Sequence, residues 1–315
     1  MSDRLPPLTA LRAFDAAARH MSFSKAAAEL NVTPAALSFQ IKSLEEHLEA
    51  PLFRRLNRAV ELTDAGRALA PGAADGFTAL SAAWRAARRT VDQTTLTVTA
   101  GPAFTAKWLA PRLFTFAEQH PGIELRFSAT LRLMDFTRDD VDVAIRFGFP
   151  REEEGLFSRK IIDEWLTPMM SPALAEQYPT PADLARAPLL HQVDTAMFKP
   201  SFDWPAWFRA AGLPPRFASG TQFSQADHAL DAAVAGGGVV LARISLAEGD
   251  LREGRLVMPY KIALTTQAQY RFVCPDGVEN RPQVKAFLGF LEEQTQALSG
   301  YGQDMTFVDA AEVAD

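Results

Sequence analysis

Between Thr33 and Leu48 the apolar residues Leu37, Ile41, Leu44 and Leu48 are spaced 4, 3 and 4. That spacing gathers them on one narrow arc and predicts an amphipathic helix. The opposite face, Ala35, Ser38, Phe39 and Lys42, is small, polar or basic with one aromatic, and no acid appears before Glu45. Thr33 supplies an N-cap hydroxyl and Pro34 suits the first helical position. Upstream, Ser22–Leu30 predicts a shorter helix capped by Ser22 or Ser24, with Ala26, Ala27 and Leu30 facing inward. Only Asn31 and Val32 separate the two helices, so they must cross sharply over small side chains. Leu8, Leu11, Phe14 and Ala18 form the stripe of a first helix that covers the pair. Downstream, Pro51–Leu62 holds two short apolar runs around Arg54, Arg55, Asn57 and Arg58, the pattern of a β-wing with a basic tip. An amphipathic helix or a charged loop alone is commonplace. Their ordered combination predicts a winged helix-turn-helix, whose third helix can enter a DNA groove without repelling phosphate.

From Thr63 to about Arg89 a second apolar series, Leu62, Leu69, Ala73, Phe77, Leu80 and Trp84, recurs near intervals of 4 and 3 and predicts one long helix. Its stripe must be buried, either against its own domain or against a twin helix from a second subunit, which is the simpler partner. Leu69, Ala73, Phe77, Leu80 and Trp84 are therefore the candidate dimerisation residues. Pro71-Gly72 should kink this helix or remove a hydrogen bond. Beyond it the pattern changes. Strands are expected at Leu96–Ala100, Ile123–Ser128 and Val141–Gly148, with a helix at Ala103–Gln119. Further strands are expected at 216–219, Gly238–Ala242 and Tyr270–Cys274, with helices at Gln225–Ala235 and Arg281–Thr295. Strand–helix alternation implies an α/β fold with a parallel sheet and ligands at the carboxyl ends of the strands.

Composition changes the picture in one respect. The 315-residue chain has 48% hydrophobic and 22% charged residues and a net charge of −6, which is ordinary for a soluble multidomain protein. Residues 1–90, however, carry 12 Lys+Arg against 9 Asp+Glu, a net of +3, whereas the remainder carries 20 against 29, a net of −9. The asymmetry separates a DNA-facing domain from an acidic partner. The modest +3 implies more than one copy on the operator. Apolar runs are too short to span a membrane, and Met1–Leu8 lacks the regions of a signal peptide. The single cysteine, Cys274, allows no internal disulfide or multi-cysteine metal site, and its apolar surroundings suggest a buried structural thiol. These features place the protein in the cytoplasm.

The runs Leu11–His20, Ser22–Leu30, Thr33–Leu48, Pro51–Arg55 and Leu62–Gly66 together resemble the N-terminal domain of the LysR-type transcriptional regulators. The chain is most similar to the branch of glycine-cleavage activators and β-lactamase regulators, which shares the opening at Arg4–Leu8. The resemblance is dense to residue 66 and looser to about residue 298. It implies a winged helix-turn-helix over 1–62, a dimerising linker helix and hinge over 63–92, and a two-lobed, periplasmic-binding-protein-like effector domain over 93–298. Lobe I would comprise 93–168 and 267–298 and lobe II 169–266, with crossings near Pro168–Ser171 and Thr265–Gln267.

On DNA, the candidate contacts are Ser22, Thr33, Pro34, Ala35, Ser38, Phe39, Gln40, Lys42, Arg54, Arg55 and Arg58. Ser38 and Lys42 would hold phosphate or base edges, and Arg58 would enter the minor groove. Pro34 and Phe39 depart from the Gln and the His or Arg common in the family. Phe39 can touch a thymine methyl but cannot make arginine's bidentate contact to guanine. In the cleft, the resemblance implies a small-molecule effector bound by Gly101, Pro102, Ala103, Phe104, Thr105, Thr221, Phe223, Ser224 and Tyr270. Helix N-termini at Pro102 and Ser224 would suit an anion. Tyr270 is equally compatible with a core position, and Ala103 replaces the branch's frequent Thr. Expected partners are promoter DNA, the effector, further copies of the chain as dimer or tetramer, and RNA polymerase, with no membrane.

A rival reading is a cytoplasmic small-molecule-binding protein or enzyme whose first domain only mediates assembly. Asp139, Asp140, Asp142, His191, Ser201 and His228 are its candidate groups. None lies in a nucleophile elbow, metal-ligand spacing or Walker loop, so neither metal, cofactor nor catalysis is expected. Gly236–Gly238 follows a helix and enters a strand, the wrong order for a phosphate loop. Residues 299–315, with Asp304, Asp309, Glu312 and Asp315 and no Lys or Arg, read as a mobile acidic tail.

Overall fold

The computed structural model describes residues 5–55, 60–91, 94–151, 153–193, 198–215 and 220–314. It divides into two compact units, Met1–Val91 and Asp92–Asp315. In the first, α1 (Leu8–His20), α2 (Phe23–Glu29) and α3 (Pro34–Leu48) are followed by the hairpin β1 (Phe53–Arg55) and β2 (Val60–Leu62), then by α4 (Asp64–Val91). The Ser22 hydroxyl accepts from Lys25 N–H at 3.4 Å and the Thr33 hydroxyl from Ala36 N–H at 3.1 Å, so both cap residues do what their chemistry predicts. Asn31 holds a left-handed φ of 54° in the turn between α2 and α3.

Alanines carry the buried face of α1. Ala10, Ala13, Phe14 and Ala17 are buried, while Leu8 is 56% exposed, because close helix crossings leave room for methyl groups and little more. On α3 the stripe holds at Leu37, Ile41 and Leu44, and Leu48 is left 49% exposed at the helix end. The Glu45 carboxylate turns back to accept from Leu52 N–H at 2.7 Å and Phe53 N–H at 3.2 Å, tying the wing to α3. At the start of α4, a Cβ on Gly66 would stand 2.3 Å from the Leu52 carbonyl oxygen, so only glycine lets the helix pass this close to the wing. α4 continues through Pro71 as one element. Proline has no N–H to donate there.

The second unit is built on β3 (Thr95–Ala100), β4 (Glu124–Ala129), β5 (Val143–Gly148), β6 (Leu156–Met169), β7 (Leu189–Gln192), β8 (Thr221–Phe223), β9 (Val239–Arg243), β10 (Ile262–Pro275) and β11 (Thr306–Asp309). Its helices are α5 (Pro102–Phe104), which continues through a π-helical turn, Thr105–Leu109, into α6 (Ala110–Gln119), then α7 (Pro172–Gln177), α8 (Trp204–Ala210), α9 (Ala226–Val234), α10 (Ile244–Arg252) and α11 (Pro282–Thr295). The strand order is β4-β3-β5-β10-β6-β9-β7-β8, with β11 also on β10.

Parallel pairs lie at either end, β4-β3-β5 and β9-β7-β8, joined by the long antiparallel pair β6–β10. The parallel sheet expected from strand–helix alternation is present at each end, and the antiparallel pairs between make the whole sheet mixed. Two cores result. One gathers Leu96, Trp108, Phe116, Phe272 and Phe287, the other Leu184, Trp207, Phe208, Val239 and Leu264. β6 and β10 pass from one to the other. Their register shifts between Thr265/Trp165 and Gln269/Asp163, so the crossing in β6 falls a few residues before the expected Pro168–Ser171.

The tail is also corrected. Residues 296–302 form a 3-10 segment, and β11 pairs in parallel with Ile262–Thr265 of β10, because an added strand satisfies that edge of the sheet. The strand expected at 216–219 lies outside the described residues.

Candidate functional site

Three surfaces gather the residues singled out above. On α3, the outward face presents Pro34, Ala35, Phe39 and Lys42, all exposed, with Ser38 and Gln40 flanking it half-buried. Phe39 is 69% exposed. A phenyl ring held in water on a helix that buries its other face has contact area to offer a partner. Lys42 leans 3.6 Å from Glu46, an exposed i,i+4 pair that exchanges readily for phosphate. Ser22 is committed to its cap, as is Thr33. Arg54 is exposed on β1. Arg58 and the side chain of Arg55 lie outside the described residues.

Along α4 the candidate pairing stripe divides. Leu69 and Ala73 pack against the core of the winged domain. Leu80 is 53% and Trp84 69% exposed, and Phe77 lies half-buried between the two groups. The half of the stripe nearest the wing is thus buried within its own domain, and the other half is exposed.

In the second unit, Ala103, Phe104 and Tyr270 are buried. The Tyr270 ring packs tilted against Phe104 at 4.3 Å between ring centroids and against Phe147 at 5.0 Å. Phe147 continues the series to Phe198 at 5.4 Å, and Phe198 meets Phe202 at 5.3 Å. The Arg243 guanidinium lies 4.5 Å over the Phe147 ring, a cation–π contact that keeps a cation in an aromatic setting. Gly101, Pro102 and Thr105 are partly buried, and Thr105 spends its hydroxyl on Gly101 O at 2.8 Å. Thr221, Phe223 and Ser224 follow β7 and precede α9, with Thr221 and Ser224 exposed. The helix begins at Ala226 with Gln225 as cap, so Ser224 stands one residue outside the N-terminus expected for it.

Sequence reasoning missed Phe147, Phe198, Phe202 and Arg243, which come together from distant parts of the chain. It also missed a set of ion pairs beside them. Lys107, in the turn after α5, reaches Asp231 of α9 at 2.6 Å and Asp250 of α10 at 3.2 Å. These carboxylates together with their hydrogen bonds hold the ammonium above its usual range, against the burial that lowers it. Arg112 of α6 pairs with Glu248 of α10 at 2.6 Å, both buried.

Three groups of the rival reading, Asp139, Asp142 and Ser201, have structural employment. Asp142 accepts from Thr97 N–H and from Arg281, Asp139 pairs with Arg132, and Ser201 donates to Asp203. Burial pushes the Cys274 thiol up to about 12, which keeps it protonated and inert. Gly236–Gly238 is the turn from α9 into β9.

Residues 8–67 match the model of the bacterial regulatory helix-turn-helix protein, lysR family, and residues 89–296 match that of the LysR substrate binding domain. The chain belongs to the LysR family. It is a LysR-type transcriptional regulator, with a DNA-binding helix-turn-helix and an effector-binding domain, and not an enzyme. This LysR-type regulator is 41% identical over 291 residues to the glycine cleavage system transcriptional activator of Escherichia coli (strain K12), covering 91% of this chain and 93% of that one. It is 36% identical over 286 residues to the transcriptional activator AmpR of Pseudomonas aeruginosa, covering 90% and 93%. The crystal structure of the AmpR effector domain from Pseudomonas aeruginosa matches 66% of this regulator and 98% of that chain, at 30% identity and a TM-score of 0.53.

Proposed function

We propose that the regulator reads its operator through Pro34, Ala35, Ser38, Phe39, Gln40 and Lys42 on α3, with Ser22, Thr33, Arg54, Arg55 and Arg58 supporting the DNA backbone contacts. The observation that carries this is the outward face of α3, where an exposed Phe39 and Lys42 stand opposite a fully buried Leu37–Ile41–Leu44 stripe. Phe39 favours thymine methyl groups over guanine edges. Two winged domains (residues 1–62) meet the operator together, paired through the exposed end of the 63–92 linker, and pairs of dimers form the tetramer.

The effector sits between lobes I and II of the 93–298 domain. Gly101–Thr105 and Thr221–Ser224 flank it, over the aromatic floor of Tyr270, Phe104 and Phe147. Effector binding changes how the lobes close, and the winged domains and RNA polymerase then respond in the cytoplasm. Titrating the purified protein into labelled DNA from upstream of its own gene, by fluorescence anisotropy at several salt concentrations, tests the reading. Tighter, steeply salt-dependent binding to that DNA than to an unrelated duplex is expected. Absence of binding at low salt would remove DNA recognition from α3.

A further inference from the structure

We propose that residues 296–314 are a strap that ties lobe I to lobe II and limits how far the β6–β10 crossing lets the lobes move. The matched family domain ends at residue 296, so the strap lies beyond the part of the effector domain shared across the family. It starts in one core and finishes in the other. Leu298 is buried in the first core, where Tyr301 and Met305 also pack, next to α11. Ala310 is fully buried in the second, with Val313 beside it. A segment held at both ends adds a third connection to the two strands that cross.

The contacts fall on the hinge itself. Thr306 N–H donates to Lys261 O at 2.8 Å and Ala310 N–H to Thr265 O at 3.0 Å. Thr265 is the last paired residue of β10 before its register shifts. On the other crossing strand, Phe307 meets the Trp165 ring edge-on at 5.6 Å, and Trp165 is the β6 residue paired with Thr265. The Arg209 guanidinium of α8 donates to Val313 O and secures the far end. At the near end the passage is tight, since a Cβ on Gly302 would stand 3.2 Å from the Phe307 ring.

A cavity of about 150 Å³, bounded by Phe149, Lys199, Pro200, Gln267, Asp309 and Ala311, adjoins the bulge. The strap and the β10 bulge therefore share one small space. Rotation of one lobe against the other must stretch the strap or peel β11 from β10. With only two crossing strands, such rotation would be absorbed by a few backbone torsions at the bulge. The strap limits lobe mobility whatever the effector is.

Spin labels on cysteines placed at Glu118 of α6 and Glu176 of α7, both exposed and on different lobes, report the interlobe distance in the full chain. Labelled protein is diluted with unlabelled protein so that each assembly carries one labelled copy, and the buried Cys274 needs no replacement. Two variants test the strap. A four-residue Gly/Ser insertion between Met305 and Thr306, past the last contact with the first core, slackens it, and Ala310→Glu undocks its far end. Both are expected to broaden the distance distribution about twofold relative to the native chain. Hydrogen exchange at Thr306 and Ala310 should accelerate in Ala310→Glu. An insertion variant with the native width overturns the proposal, as does an Ala310→Glu protein whose strap exchanges freely while the width stays unchanged. If Ala310→Glu does not fold, the insertion variant decides alone.

Discussion

Glu164 lies in β6 at the crossing and is 3% exposed. Burial pushes its carboxyl up to about 7, and the nearby Ser245 and Arg243 offset this only in part. Unfolded, the same group ionises near 4.5. Between those values the folded protein keeps a proton that the unfolded chain has released, so rising pH favours unfolding through this group. The contribution is absent below about 4.5 and complete above about 7. Glu164→Gln cannot ionise and should remove that slope. Thermal unfolding of both proteins at pH 5 and pH 8 checks this. The variant is expected to gain about 4 °C on the native protein between the two pH values, equivalent to roughly 1–2 kcal/mol in a domain of this size. An unchanged difference would mean that Glu164 is already ionised in the fold.

Among the elements, α6 and α10 are held together by the buried Arg112–Glu248 pair, which Arg252 joins from the surface at 2.7 Å. Arg112→Met leaves Glu248 buried with one exposed cation, and breaking a buried pair on one side is costly because the other charge stays behind. A loss of about 3 kcal/mol is expected in denaturant unfolding of the second unit. Arg112→Met combined with Glu248→Leu should recover most of it. A double variant as unstable as the single one would show that the contribution is packing, not charge.

This pair also marks where sequence reading stops. The first unit was legible because its signals are local: caps at Ser22 and Thr33, a 4-3 stripe on α3, and a two-residue turn. Arg112 and Glu248 are 136 residues apart, and nothing near either one names the other. β6 was missed because it changes lobes part-way along. Its inward side changes with the crossing, and Lys160, Asp163 and Glu164 break the two-residue alternation that marks a strand. The strap was misread for a related reason. Asp304 and Glu312 face solvent, while the residues that hold it, Phe307, Ala310 and Val313, are too few and too widely spaced to signal a docked strand. In the cleft, the β3–α5 junction and Tyr270 were placed by resemblance, and the Phe147–Phe198–Phe202 series depended on tertiary folding alone.

At the scale of the whole molecule, charge and apolar surface point to the same arrangement. A net of +3 on residues 1–90 gives each winged domain limited hold on phosphate, and the pairing proposed above, through the exposed Leu80 and Trp84 of α4, would join two of them. Leu80→Glu with Trp84→Glu places carboxylates on two exposed apolar positions of that helix, leaving Leu69 and Ala73 in the winged-domain core untouched. The variant is expected to sediment as a monomer and keep its folded helical content. Each monomer would then release about half the counterions that a pair releases. The slope of log affinity against log salt should therefore fall to about half its native value, since it scales with the number of phosphates neutralised. Affinity for a single half-site should change far less than affinity for the full site, because linkage and not contact chemistry has been lost. A variant that sediments as the native protein does would move the pairing surface off α4. A monomer with the native salt slope would show that one winged domain makes all the phosphate contacts, and that pairing serves regulation without serving grip.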